Sequence, residues 1–259
     1  DNPLTARVVI NRQWAAFFGE GIVPTVDDFG MQGKLPNNPA LLDHLAVTFM
    51  EQNWSLKKLH RLIVTSATYQ QQSVIESSSA PHFLRQRLEA EIIRDSALQA
   101  SGLLGSKMFG RPVRPPQPSG ISEVAFGSPK WKPSQGEDRF RRSIYTYQKR
   151  TAPFAMFTTF DASSGEACLA RRDRSNTPLQ ALTLMNDPMF IEIANSYGEL
   201  IEKRKGRIEE KITLAFRRLL TRPPESQELQ LLSSFYQKHK SWKALTRAIL
   251  SLDESVTKN

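Results

Sequence analysis

The sequence predicts a mainly α-helical protein with a long proline- and glycine-rich irregular insertion and at most a short β element. Three observations carry that prediction. Apolar residues recur at helical spacing from residue 4 to 101 and again from residue 177 onward. Several of these patterns open on a capping residue followed by proline. Between Ser106 and Gln135 the periodicity disappears, and six of the sixteen prolines fall between Pro112 and Pro133, so no helix can run through that stretch.

Residues 4 to 18 predict the first helix, with Leu4, Val8, Val9, Phe17 and Phe18 as its apolar face and Arg7, Asn11 and Trp14 on the adjacent stripe. "GEGIVPTVDDFGMQGKLPNNP" follows as a turn-rich connection. Asn38 and Pro39 start the next helix: an N-cap oxygen, then a proline whose missing N–H costs nothing there. It continues through Leu41, Leu42, Leu45, Phe49 and Met50. A third helix begins at Ser55, with Leu56, Leu59, Leu62, Ile63 and Ala67 on one face. Residues 82 to 101 predict a longer one, through Leu84, Leu88, Ile92 and Leu98, ending near Gly102.

After the proline-rich loop, "RRSIYTYQKR" alternates well enough for a short strand, and Pro153 leaves "FAMFTTFD" ambiguous. Helices resume at Thr177, where Thr177 and Gln180 have capping-box spacing and Pro178 takes the first helical position. "NDP" at 186–188 ends that helix and caps another. Further patterns follow over 208–220, 225–239 and 242–252. The expected organisation is one helical domain over 1–259: helical at 1–105, a basic insertion at 106–175, helical at 176–259. Helices from both ends are expected to pack into one body. The first residues enter helical periodicity almost at once, so the chain is expected to be a fragment of a longer protein.

Apolar residues make up 39% and charged residues 24%, which is the balance of a globular rather than a disordered chain. No apolar run approaches the roughly 18 residues of a membrane span. The single cysteine, Cys168, excludes an internal disulfide framework. Twelve Lys/Arg against six Asp/Glu lie between residues 111 and 174, so this quarter carries +6 of the net +9. Such a block is either a solvated surface or a face for an acidic ligand.

Motif absences remove whole classes of chemistry. There is no C-x-x-C-H for covalent haem and no H-E-x-x-H, and His44, His60, His82 and His239 are scattered, so neither a cofactor nor a metal is expected. G-x-S-x-G and the phosphate-cradling glycine fingerprints are also missing. The weak catalytic candidates are His60, as a general base or simply a packed histidine, and Asp161. Ligand-binding candidates are Arg7, Asn11, Arg12 and Trp14 on the first helix, and Tyr147, Lys149, Arg150, Arg171 and Arg172 in the insertion. Rings beside cations suit stacking plus anion binding, and arginines grip carboxylate or sulfate bidentately. Each has a structural alternative: Arg7 can fix a helix end, and Arg171 and Arg172 can pair with Glu166 or Asp173.

"NPLTARVVINRQWAAFFGEGIV", "DDFG", "WSLKKLHRLIVTSATYQQ", "RLEAEIIRD", "YQKRTAPFAMFTTFD" and "RRDRSNTPLQALTLMNDP" occur in that order. In this the chain resembles the uncharacterised C-terminal domain of planctomycete-type cytochrome c proteins, from Asn2 to about Leu252. The resemblance implies an exported protein, periplasmic or at the cell surface, with a cytochrome c domain elsewhere in the same full-length chain. It transfers no catalytic residue. The family pattern has "TFDAPSRE" after the phenylalanines, whereas here Asp161 leads into "ASSGEAC". The expected function is a non-haem accessory domain that binds an anionic or carbohydrate ligand or docks the haem domain. The alternative is an enzyme acting on acidic polysaccharide. Nucleic acid is not favoured as a partner, because it conflicts with export.

Overall fold

The computed structural model describes residues 2–71, 85–122, 130–169 and 171–258. Ten α-helices and two paired two-residue strands order these residues, so the protein is mainly α. The chain divides into two compact units, residues 1–86 with 258–259, and residues 87–257.

The first unit holds α1 (Pro3–Phe18), α2 (Pro39–Glu51) and α3 (Leu56–Val64). The starts of α2 and α3 are built as the sequence predicts, and α1, expected from residue 4, opens in the same way on Asn2 and Pro3. Asn2 accepts from the Leu4 N–H at 2.9 Å and Asn38 from the Leu41 N–H at 3.0 Å, each ahead of a proline. Ser55 caps α3 through the Lys58 N–H. These side chains satisfy N–H groups that the first helical turn leaves without carbonyl partners. Ala6, Ile10 and Phe18 of α1 pack with Leu42, Leu45 and Phe49 of α2 and Leu59 and Ile63 of α3. The buried face of α1 is therefore rotated from the expected one, and Leu4 is exposed. The cause is Asn11, a fully buried polar residue whose amide donates to the Val23 carbonyl and accepts the Val23 N–H, at 2.9 and 2.8 Å. Pinning the chain after α1 in this way turns Ile10 inward with it.

The second unit is built around α7 (Pro188–Glu202). Met189, Phe190, Ile193, Ala194, Tyr197 and Ile201 are all buried, against α10 (Trp242–Leu250), α4 (Ala90–Ser101) and α8 (Ile208–Leu220). Gly198 permits the α10 approach, since a Cβ there would meet the Lys243 backbone at 2.7 Å. Short α5 (Ala155–Thr159), α6 (Pro178–Asn186) and α9 (Ser226–His239) complete the unit.

Two expectations are corrected. The helix predicted over 82–101 begins at Ala90, after β1 (Gln86–Arg87), which pairs with β2 (Thr257–Lys258). Leu88 is extended and donates its N–H to the Val256 carbonyl at 2.7 Å, which a helical Leu88 could not do. Leu84 and His82 lie outside the described residues. The strand predicted at 141–150 is instead a 3-10 turn, Ser143–Tyr145, flanked by isolated parallel bridges Gly105↔Arg141 and Val113↔Thr146. Val113 contributes both of its backbone groups, but Pro112, Pro115 and Pro116 on its segment have no N–H to extend a ladder.

Candidate functional site

The insertion is held by buried arginines. Arg94 sits on the inner face of α4 in line with Ala90, Ala97 and Ser101, and is fully buried. Its guanidinium donates to the carbonyls of Arg141 and Arg139 at 2.8 and 2.9 Å and to the Ser143 hydroxyl at 3.2 Å. Burial lowers its pKa to about 10, against the opposing pull of Asp95. A buried cation of this kind must have its donors satisfied, and here backbone carbonyls of the insertion satisfy them. Asp95 in turn accepts the Ser143 N–H at 2.8 Å, so α4 dictates the local path of residues 139–143.

A second network closes the junction ahead of α6. Arg87 donates to Asp161 at 2.5 Å, to the Ser175 carbonyl at 2.9 Å and to the Leu88 carbonyl at 3.0 Å. The Asp161 carboxylate also accepts the Ser175 N–H and hydroxyl, at 2.8 and 2.7 Å. Burial works to raise the Asp161 carboxyl, but the two Ser175 bonds and Arg87 outweigh it and hold it below the usual carboxylate range. Burial lowers Arg87 as well, yet arginine stays protonated in proteins, so the pair is ionic. Gln180, almost fully buried, then bonds the Thr159 carbonyl and the Ser175 hydroxyl, both at 3.0 Å, and its Oε1 receives the Thr177 N–H at 3.3 Å.

Most candidates from the sequence fall into such internal roles. In the first unit Arg7 pairs with Asp43 at 2.7 Å and bonds the Pro3 carbonyl. Asn11 is buried, Trp14 stacks on Phe18 at 4.2 Å, and Arg12 is exposed. His60 bonds Gln13 at 2.7 Å and meets the Phe17 ring edge-on, as a packed histidine does.

In the second unit Tyr147 lies beneath the Arg114 guanidinium, 4.2 Å from its ring centroid. Lys149 is half-buried and Arg150 exposed. Arg172 pairs with Glu91 at 2.7 Å and Glu89 at 3.4 Å, not with the expected Glu166 or Asp173, and the Glu91 bond raises its pKa. Arg171 is exposed. Seven residues further on, α6 begins, and it leaves Leu179, Leu182 and Met185 between 45% and 60% exposed. At i, i+3 and i+6 these share one side of the helix.

No group of three or more His, Cys, Asp or Glu side chains arranged to hold a metal occurs among the described residues. Arg87, Arg94 and Arg141 escaped the sequence reading. Arg94 carried a signal, since it falls on the small-residue stripe Ala90–Ala97–Ser101; Arg87 and Arg141 had none. The model of a protein family described as PSD1, protein of unknown function (DUF1553), matches residues 1–250. The chain belongs to the PSD1 family. That description names no activity, so membership of PSD1 assigns no role to Arg171 or Asp161. No curated protein and no solved structure matches the chain.

Proposed function

We propose that this PSD1 domain is a non-haem accessory domain of an exported, planctomycete-type cytochrome c-linked protein, and that it docks the haem domain of the same full-length chain. The observation that carries the reading is the exposed apolar side of α6, Leu179, Leu182 and Met185, with an exposed arginine, Arg171, seven residues ahead of the helix in sequence. A protein partner with acidic and apolar patches uses both features. An acidic polysaccharide would use Arg171 but leave the apolar side idle. The enzyme alternative draws little support, because the Asp161 carboxylate is bonded to Arg87 and Ser175, and His60 is bonded to Gln13.

The full-length polypeptide should contain a C-x-x-C-H haem-attachment motif, and a polypeptide without one ends this proposal. The separately purified haem domain should bind the chain with an affinity that falls as salt rises. Leu182→Ser should weaken binding by about tenfold or more, as expected for the central contact of an interface. Equal affinity of the parent, Arg171→Gln and Leu182→Ser proteins in a calorimetric titration would place docking elsewhere, or nowhere.

A further inference from the structure

The stretch "SKMFGRP", residues 106–112, is an apolar pair set between cations inside the proline-rich insertion. Phe109 is 79% exposed and Met108 is exposed beside it. Phe109 also has a left-handed backbone, with φ of 61°, and Gly110 follows at 94°. That region suits glycine, and a bulky aromatic residue there is strained. Strain persists only where the surroundings hold it, and here they do. The Phe109 N–H donates to the Tyr145 hydroxyl at 2.8 Å, and its carbonyl accepts from Arg141. Arg141 is buried, lies 3.9 Å from the Tyr145 ring centroid, bonds the Arg111 carbonyl at 3.1 Å, and is tied by its own carbonyl to Arg94. Two buried arginines thus brace a tip whose apolar side chains cover nothing of the core.

The surroundings of the tip are basic. Lys107 and Arg111 flank it in sequence, both exposed. Arg142 lies on the segment that holds it, next to the Ser143–Tyr145 turn, and Ile144 within that turn is 76% exposed. Lys107 meets Asp138 at 2.9 Å and Arg142 approaches Asp95 at 3.7 Å, and both cations keep more than half of their side-chain surface in solvent. We propose that the 107–111 tip is a membrane-surface anchor, in which Phe109 and Met108 enter the headgroup boundary of an anionic bilayer while Lys107, Arg111 and Arg142 meet lipid phosphates. Apolar side chains at the centre of a cationic rim fit that interface. A pre-braced loop loses little conformational freedom on insertion. The inference is independent of the docking reading, since it uses neither α6 nor a haem domain.

The test is co-sedimentation of the chain with vesicles of mixed phosphatidylglycerol and phosphatidylcholine, and with phosphatidylcholine alone. The chain should bind the anionic vesicles, with binding reduced by salt because exposed charges are screened. Phe109→Gly should bind about tenfold more weakly, yet melt no lower than the parent, because glycine relieves the backbone strain. Should that variant fail to fold, Phe109→Trp decides the matter. Its added fluorescence should be quenched by brominated acyl chains, and absence of quenching overturns the proposal. So do a parent that ignores anionic vesicles, a Phe109→Gly protein that binds them equally well, and a concentration-dependent dimer that Phe109→Gly abolishes, which would make the tip a contact between copies.

Discussion

Asp161 shows how one carboxylate can serve structure where the sequence offered it for catalysis. With a φ of 56° it turns the chain after α5, and its Oδ2 accepts from Arg87 and from both donors of Ser175. The folded protein holds this carboxyl below its ordinary range, so the unfolded chain binds the proton more readily. The resulting stabilisation is present above the unfolded carboxylate pKa, about 3.9, and is lost as pH falls through the lower folded value. Asp161→Asn should therefore lower stability at neutral pH and flatten the acid limb of the stability profile below about pH 4. Thermal melting from about pH 2.5 to about pH 7, which spans that value, checks both. A variant as stable as its parent at neutral pH would free Asp161 for another role.

At the scale of the element, the entry of α6 combines a local signal with a non-local one. Thr177, Pro178 and Gln180 advertise a helix start in the sequence, and α6 begins at Pro178 as that spacing predicts. The sequence could not show that Gln180 also reaches across to Thr159 and Ser175. Gln180→Ala should consequently cost about 2–3 kcal/mol, at about 1 kcal/mol for each buried bond, while Thr177→Ala costs at most about 1 kcal/mol. Midpoints of urea unfolding rank the two, and an equal loss would reduce Gln180 to a simple cap. The same contrast explains what was legible elsewhere. The starts of α2, α3 and α7 were readable because their caps lie within three residues in sequence. The turn at 143–145 was not, because Arg94 and Asp95, some 45 to 49 residues away, bend that segment through its backbone and Ser143. Among the candidate site residues, residue type suggested ligand contacts for Asn11 and Trp14, but only packing shows that both are spent inside the first unit.

At the scale of the whole molecule, the helical character followed from periodicity, whereas the division into two units left no comparable mark in the sequence. Each unit has its own apolar cluster, and the clusters differ in size. The one around α7 gathers buried residues from α4 to α8 and from α10, with α9 packed against it through partly buried Leu229, Leu232, Phe235 and Tyr236, while the other joins α1, α2 and α3 with Ile22 and Val23. The fraction of surface that a compact body removes from water rises with its size, and the elements with most buried apolar contact open last. Ile193, Tyr197 and Ile201 of α7 and Leu245 and Ile249 of α10 are wholly buried, and the Thr246 hydroxyl bonds the Ala194 carbonyl at 2.8 Å to lock the two helices together. Side chains of this kind each contribute roughly 1.5–3 kcal/mol through burial, and the smaller cluster of the first unit holds fewer of them. Amides of α7 and α10 should therefore be the slowest to exchange with deuterium, and those of α1, α2 and α3 should exchange earlier through openings that leave α7 protected. Native-state hydrogen exchange followed by mass spectrometry reads this directly. If α2 amides prove as protected as those of α7 and respond equally to mild denaturant, the two clusters unfold together, and the size of each unit does not govern its stability.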